Sequence, residues 1–87
     1  MERLHRELDE EEGCFSGKTL VEILGRERVL IEHHAGVSGY SRECICVRNA
    51  GGGVRITGSC LEIVRMTKEQ LVICGRIMGV ELCAGEA

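Results

Sequence analysis

The sequence predicts an all-β fold, a small antiparallel two-layer sandwich or flattened barrel of about seven or eight short strands. Apolar and polar residues alternate through several segments, and the turns depend on twelve glycines because the chain has no proline. One pattern also repeats: apolar residues two apart precede Gly25, Gly58 and Gly75, and a second apolar pair follows each glycine. This pattern is typical of a strand, a tight turn and a returning strand.

The spacing of the glycines leaves a second architecture open. They stand 33 and 17 residues apart, so a fourth, degenerate unit is expected around Gly39. A short β-solenoid with a turn every 16 to 17 residues (about half of the longer spacing) fits the same period. We favour the two-layer fold because strands this short need a second layer to bury their apolar side.

The individual elements follow from the alternation and its interruptions. Strands are expected at about residues 19–24, 27–33, 36–40, 43–48, 53–57, 60–66, 70–74 and 77–82. Residues 49–53 are glycine-rich and residues 67–70 are polar, so both predict hairpin connections. Between Leu61 and Met66 the alternation changes phase, which predicts a β-bulge near Ile63 or Val64.

The same alternation predicts which side chains form the core. Fourteen apolar residues are expected to share it: Val21, Ile23, Val29, Ile31, Ile45, Val47, Val54, Ile56, Leu61, Ile63, Leu71, Ile73, Val80 and Leu82. Glu22, Arg55, Glu62 and Glu81 are expected to face solvent, and Gly58 and Gly75 are expected at turns or bulges.

Length and charge divide the chain into one domain with two short flanks. Eighty-seven residues allow a single core. Residues 1–17 are expected to be an acidic N-terminal segment, a short helix or disordered, because residues 1–12 hold six acidic residues against two arginines, with Leu4 and Leu8 at helical spacing. Residues 18–83 are expected to form the β domain and residues 84–87 a frayed end.

Composition argues against several classes of function. Residues 13–87 carry nine basic and eight acidic residues, and the chain has only two aromatic residues, so we expect no nucleic-acid binding. No apolar run approaches the roughly 20 residues that span a bilayer, and no signal-peptide core is present. A soluble, intracellular protein with reduced cysteines is expected.

The cysteines suggest a second class of function. Cys44 and Cys46 alternate on one strand, so their thiols face one side, and three further cysteines of the body, Cys60, Cys74 and Cys83, follow. Zinc sites usually contain Cys-x2-Cys pairs, and the sequence has none, so no metal or other cofactor is predicted. A cysteine-based metal-binding or redox module remains the alternative.

Nucleophilic catalysis is the third class considered. Cys44 with His33 or His34 and Glu32 could in principle form a nucleophile, base and orienting carboxylate. Adjacent strand residues face opposite sides, however, and a domain this small offers little room for a pocket. We therefore predict that the protein is not an enzyme.

Several short motifs, taken in order, resemble the YabP/YqfC family of sporulation proteins, most closely its YqfC branch. They are residues 25–37, Tyr40, residues 54–63 and residues 66–77, so the resemblance covers about residues 18–82. It implies a small, largely β protein, made during endospore development in the mother cell, that acts as a structural protein through protein-protein contact. No catalytic residue is implied.

The resemblance also suggests an interaction turn and a partner. Glu32, His33, His34 and Gly36 form the candidate turn; where the family usually has an amide and a basic residue, this chain has His33 and Ala35. The alternative is that Glu32 and His34 decorate a strand end while Gly36 permits the turn. The implied partner is a YqfD-like or YabQ-like membrane protein, which would place the chain in the cytoplasm on the mother-cell side, peripheral to the forespore membrane. Homo-oligomers through free strand edges are also expected.

Overall fold

A computed structural model describes residues 18–84 of the chain. The prediction made for residues 1–17 lies outside the described residues, and so does the prediction made for residues 84–87 apart from Ala84, which ends the last strand. The described part of the chain contains no helix long and apolar enough to cross a membrane.

The described residues form six antiparallel β-strands, which confirms the all-β prediction. The strands are β1 (Leu20–Leu24), β2 (Arg28–Glu32), β3 (Val37–Tyr40), β4 (Cys44–Asn49), β5 (Gly52–Met66) and β6 (Gln70–Ala84). They belong to one open sheet in the order β1-β2-β6-β5-β4-β3. Antiparallel pairing throughout excludes the solenoid, whose strands stack in parallel from one turn to the next.

Six strands replace the predicted seven or eight because β5 and β6 each combine two predicted strands. Each is 15 residues long and bends in the middle. The first part of β6, residues 70–74, pairs with β2, whereas residues 79–84 pair only with the beginning of β5. The first part of β5, residues 52–57, pairs with β4 on its other side.

The bends divide the sheet into two layers. The first layer contains β1, β2, residues 70–74 of β6 and residues 62–66 of β5; the second contains β3, β4, residues 52–57 of β5 and residues 79–84 of β6. Side chains from both layers, including Val29 and Ile73 of the first and Ile45 and Ile56 of the second, are fully buried in one cluster. Because a flat sheet leaves both faces in water, the two layers must face each other.

The bends occur at the two glycines that were expected at turns or bulges. At Gly58 a Cβ atom would overlap the Arg76 carbonyl oxygen, and at Gly75 it would lie 2.6 Å from the Cys60 carbonyl oxygen. Each glycine therefore lets its strand approach the bend of the other strand. Gly75 also has a φ of 144°, which side chains strongly disfavour.

Two hairpin turns hold these bends in place by backbone hydrogen bonds. The β1–β2 turn binds the bend of β6, since Gly75 N–H donates to the Glu27 carbonyl (3.2 Å) and Ile77 N–H donates to the Arg26 carbonyl (2.7 Å). The β3–β4 turn binds the bend of β5 in the same way, because the N–H groups of Gly58 and Leu61 donate to carbonyls of residues 43 and 42. Backbone N–H groups at both bends are thus paired with carbonyl groups of these two turns.

The predicted local irregularities are confirmed. Ile63 pairs with Ile73 but Arg65 pairs with Val72, so Val64 is an extra, bulged residue. Residues 67–70 form a hairpin connection in which the Thr67 hydroxyl accepts hydrogen bonds from two backbone N–H groups. The glycine-rich connection joins β4 to β5 through Ala50 and Gly51.

Most of the predicted core is confirmed, with two errors and one omission. Nine of the fourteen residues are buried: Val29, Ile31, Ile45, Val47, Val54, Ile56, Leu61, Leu71 and Ile73. Val21, Ile63 and Val80 are partly buried against them. Ile23 and Leu82 were wrongly placed in the core, since they are 50% and 75% exposed, and the buried Ile77 was missed. The four residues expected to face solvent, Glu22, Arg55, Glu62 and Glu81, are exposed.

Candidate interaction surface

The predicted interaction turn is the connection between β2 and β3, where the chain leaves the first layer for the second. Glu32 is the last residue of β2, and His33 follows with a φ of 65°. The His33 backbone is fully used: its N–H donates to the Glu69 carbonyl (2.7 Å), and its carbonyl accepts from the Thr19 hydroxyl (3.0 Å). The His33 side chain is exposed, so it is available for contact with another molecule.

His34 has a different environment because both ring nitrogens are engaged by the backbone. Gly36 N–H donates to Nδ1 (3.0 Å), so Nδ1 is the accepting nitrogen of the ring. Nε2 therefore carries the proton and donates to the Thr67 carbonyl (2.9 Å). His34 thus links this turn to the β5–β6 hairpin, and both nitrogens of its ring are occupied by hydrogen bonds within the fold.

Gly36 completes the turn by its conformation. Its φ is 110°, and a Cβ atom there would lie 3.3 Å from the Arg48 guanidinium. Its carbonyl accepts from Arg48 N–H (2.7 Å), which joins the turn to the end of β4. The four predicted residues are therefore close together, but His34 and Gly36 face inward to the fold while His33 presents its side chain outward.

A second surface arises where the two layers are open at one side. We call it the open seam and define it by four residues that point between the layers: Val21 and Ile23 of β1, and Val80 and Leu82 of β6. On β1 and on the second part of β6, no further strand of residues 18–84 continues the layer. Because no strand of that range covers the seam, half of Ile23 and three quarters of Leu82 are exposed.

A groove runs along this seam. It has a volume of about 540 Å³ and brings the beginning of β1 beside the β4–β5 connection and the end of β6. Its walls include Lys18, Thr19, Val21, Val54, Leu82 and Cys83. An open, partly apolar groove beside a free strand suits an extended polypeptide better than a small molecule, which usually needs an enclosing pocket.

The β1 edge adds hydrogen-bonding capacity to the seam. Within residues 18–84, β1 pairs only with β2, so its other side presents free backbone N–H and carbonyl groups. Its five residues include exposed Leu20, Ile23 and Leu24, with no proline or lysine to block pairing. The opposite edge, β3, is less suited to pairing because it has four residues and an irregular register between Val37 and Gly39.

The five cysteines of residues 18–84 lie in three separate places. Cys44 and Cys46 lie side by side on the outer side of β4, with their sulfur atoms 3.9 Å apart, and Cys83 lies on the same layer at the end of β6. Cys74 is on the first layer and Cys60 is exposed at the bend of β5. No histidine among residues 18–84 forms a hydrogen bond with a thiol, and no three His, Cys, Asp or Glu side chains of that range are grouped for metal binding.

A comparison with protein families identifies the family of this chain. The model of the YabP family matches residues 16–87, most of the chain and all of the described strands. The chain belongs to the YabP family. Membership indicates a sporulation-related protein. No curated protein and no solved structure matches this YabP-family chain.

The open seam was missed because its residues look like core residues in the sequence. Ile23 and Leu82 alternate with polar residues in the same way as their buried neighbours on β1 and β6. The available signal was their place near strand ends in a small domain, where a two-layer fold has least material to cover them.

Proposed function

We propose that this YabP-family protein belongs to the YqfC branch and is a non-enzymatic scaffold or assembly factor of endospore development. It works by protein-protein contact, and the open seam with its free β1 edge is the contact surface. The observation that carries the proposal is the exposure of Ile23 and Leu82, whose side chains point between the layers but are left uncovered by the rest of residues 18–84. Apolar side chains in this position are stabilised when another chain covers them.

The partner we propose is a YqfD-like or YabQ-like membrane protein that contributes an extended segment. Such a segment would pair with β1 as an added strand and place alternate apolar side chains in the groove. The YabP-family chain would then act in the cytoplasm on the mother-cell side, held at the forespore membrane by this partner. The exposed His33 side chain lies one strand away, just after β2, and could contribute a polar contact.

Pairing of β1 with β1 of a second copy is the competing use of the same edge. In the symmetric register that aligns apolar residues, Leu20 lies opposite Leu24 and Glu22 lies opposite Glu22 of the other copy. Two carboxylates directly opposite each other destabilise a strand pair. This repulsion favours a different partner, which can place a neutral or basic residue opposite Glu22.

Sporulation of a deletion strain that carries variants of the seam tests the proposal. Deleting the gene should impair spore formation and leave vegetative growth unchanged, and the wild-type gene should restore it. Leu82→Glu should fail to restore it because it places a charge in the seam. Met78→Glu is the matched control, since Met78 is on the same strand, is 71% exposed and is a bulged residue outside the seam. Circular dichroism of both purified variants checks that they fold.

Normal spore yield in the deletion strain would contradict the sporulation role itself. Equal rescue by both variants would contradict the seam as the contact surface but leave the role intact. To test the partner, a photo-crosslinking residue at position 82 should capture the YqfD-like or YabQ-like protein in sporulating cells, and the same residue at position 78 should not.

A further inference from the structure

The thiols of Cys44 and Cys46 form a preformed pair on the outer side of the second layer. The two residues alternate on β4, flanking the buried Ile45, so both side chains point away from the core. Their sulfur atoms are 3.9 Å apart, and each thiol is half-buried. The thiol pair lies on the outer side of the sheet, whereas the residues of the open seam point between the layers. The pair therefore has no part in the contact surface proposed above.

The spacing of the sulfur atoms fits a chelated metal ion. With Zn–S bonds of about 2.3 Å, sulfur atoms 3.9 Å apart subtend an angle of about 116° at zinc, close to the tetrahedral value. A disulfide fits poorly. It requires Cβ atoms roughly 3.5–4.5 Å apart, whereas alternate residues of a strand are about 6.6 Å apart along the chain. The pair is therefore better arranged to share an ion than to oxidise.

On the β3 side, a glycine leaves the surface beside the Cys46 thiol open. Gly39 of β3 lies opposite Cys46, and a Cβ atom there would contact its Sγ atom at 3.8 Å. On the other side, Thr57 lies opposite Cys44, and Gly79 lies opposite Thr57. A second macromolecule can therefore approach the thiol pair closely.

Arg55 supplies positive charge at the same place. It lies opposite Cys46 on β5 and forms an ion pair with Glu81 on β6 (3.4 Å). Glu81 thus holds the Arg55 guanidinium on the same outer surface as the thiols.

Residues 18–84 of a single chain supply only two ligands at this site. A closed structural zinc site needs four, and residues 18–84 hold no cluster of three candidate ligands. We infer that Cys44 and Cys46 from two copies of this chain together bind one zinc ion in a tetrahedral site of four thiolates, which joins the copies through the outer sides of their second layers. Four thiols lose four protons to one Zn²⁺ ion, and the resulting dianionic site lies beside an Arg55 from each copy.

Zinc titration of the full chain under reducing conditions tests this inference. Zinc should bind at about half an ion per chain, and light scattering should show conversion of monomer to dimer at that ratio. Cobalt in place of zinc should give the thiolate-to-metal charge transfer and the intense visible bands of a tetrahedral site with four sulfur ligands. Cys46→Ser should abolish binding and dimerisation, and Arg55→Gln should weaken both.

Cys74→Ser is the matched control, because Cys74 is also a half-buried thiol on an outer strand surface but belongs to the first layer. It should bind zinc and dimerise like the wild type. Absence of zinc binding, a full ion bound by each monomer, or equal loss of binding in Cys74→Ser and Cys46→Ser would each overturn the inference. Circular dichroism without metal confirms that both variants fold, so loss of binding is not loss of structure.

Discussion

The Gly25 turn and the Gly75 bend come from almost the same sequence but have different structures. In residues 21–25 and in residues 71–75, apolar residues occupy the first and third positions and a glycine occupies the fifth. At Gly25 the chain reverses, and β1 pairs directly with β2. At Gly75 the strand bends and continues for nine more residues to the end of β6.

The difference lies in what the flanking residues pair with. Residues 20–24 are at an edge, so within residues 18–84 β2 is the only strand beside them, and the chain turns back to it. Residues 70–74 already have β2 on one side and β5 on the other, so both sides are occupied before the chain reaches Gly75. A glycine pattern therefore marks a change of direction, and long-range pairing decides whether that change is a turn or a bend.

Replacing each of the two glycines with valine should give the largest contrast. At Gly75, a β-branched side chain meets a φ of 144° and backbone atoms of Cys60 and Leu61 within 3 Å of its Cβ position. We expect a loss above about 5 kcal/mol, comparable with the whole stability of a small domain, so Gly75→Val should be unfolded. At Gly25, φ is 61° and no atom from elsewhere in residues 18–84 lies within 4 Å of a Cβ position. Gly25→Val should lose about 1–2 kcal/mol and stay folded.

Urea unfolding followed by circular dichroism measures both effects. Gly25→Asn serves as the control, because asparagine tolerates this left-handed conformation, and its stability should lie within about 0.5 kcal/mol of the wild type. Similar losses for the two valine variants would show that the contacts at Gly75 do not constrain the bend.

The second-largest difference in stability is expected between alanine variants of the isoleucines two residues before each glycine. Ile73 is fully buried, whereas Ile23 is half exposed in the open seam. Ile73→Ala should cost about 2–5 kcal/mol because it leaves a cavity between the layers. Ile23→Ala should cost less than about 1 kcal/mol in the isolated chain, since water can fill the space. Chemical denaturation of the two variants gives both values, and equal losses would mean that the seam is closed in solution.

These two isoleucines also show which part of the fold sequence reasoning could predict. Local alternation was sufficient to place the first four strands and the bulge at Val64. It could not show that residues 53–57 and 60–66 form one strand, because their continuity depends on hydrogen bonds to the β3–β4 turn. Ile77 was missed for a related reason. Met78 is an extra residue opposite Thr57 and Gly58, so the inward-facing positions of β6 change from odd to even beyond it.

The candidate surfaces were predictable only as far as local chemistry defined them. The sequence indicated that residues 32–36 form a turn, and the alternation of Cys44 and Cys46 indicated thiols on one side. The bonding of the His34 ring to Gly36 and Thr67 depends on residues up to 33 positions apart, so no local pattern contains it. The open seam depends on how far each layer extends past the other, which is likewise a property of the complete fold.

The smallest predicted effect on stability concerns the residue with positive φ at each of the two bends. At the bend of β6 the residue with positive φ is Gly75, whereas at the bend of β5 it is Cys60, with a φ of 55°. A side chain in the left-handed region costs about 1–2 kcal/mol, and glycine avoids this cost but loses more backbone entropy on folding. The Cys60 side chain is exposed, so its removal sacrifices little packing. Cys60→Gly should therefore stabilise the domain by about 0.5–1 kcal/mol.

Cys60→Ala is the control, because alanine removes the thiol but keeps the Cβ atom, and its stability should match the wild type in the same urea titration. Equal stabilisation by both variants would assign the effect to the thiol, and destabilisation by Cys60→Gly would show that the bend of β5 carries no backbone strain.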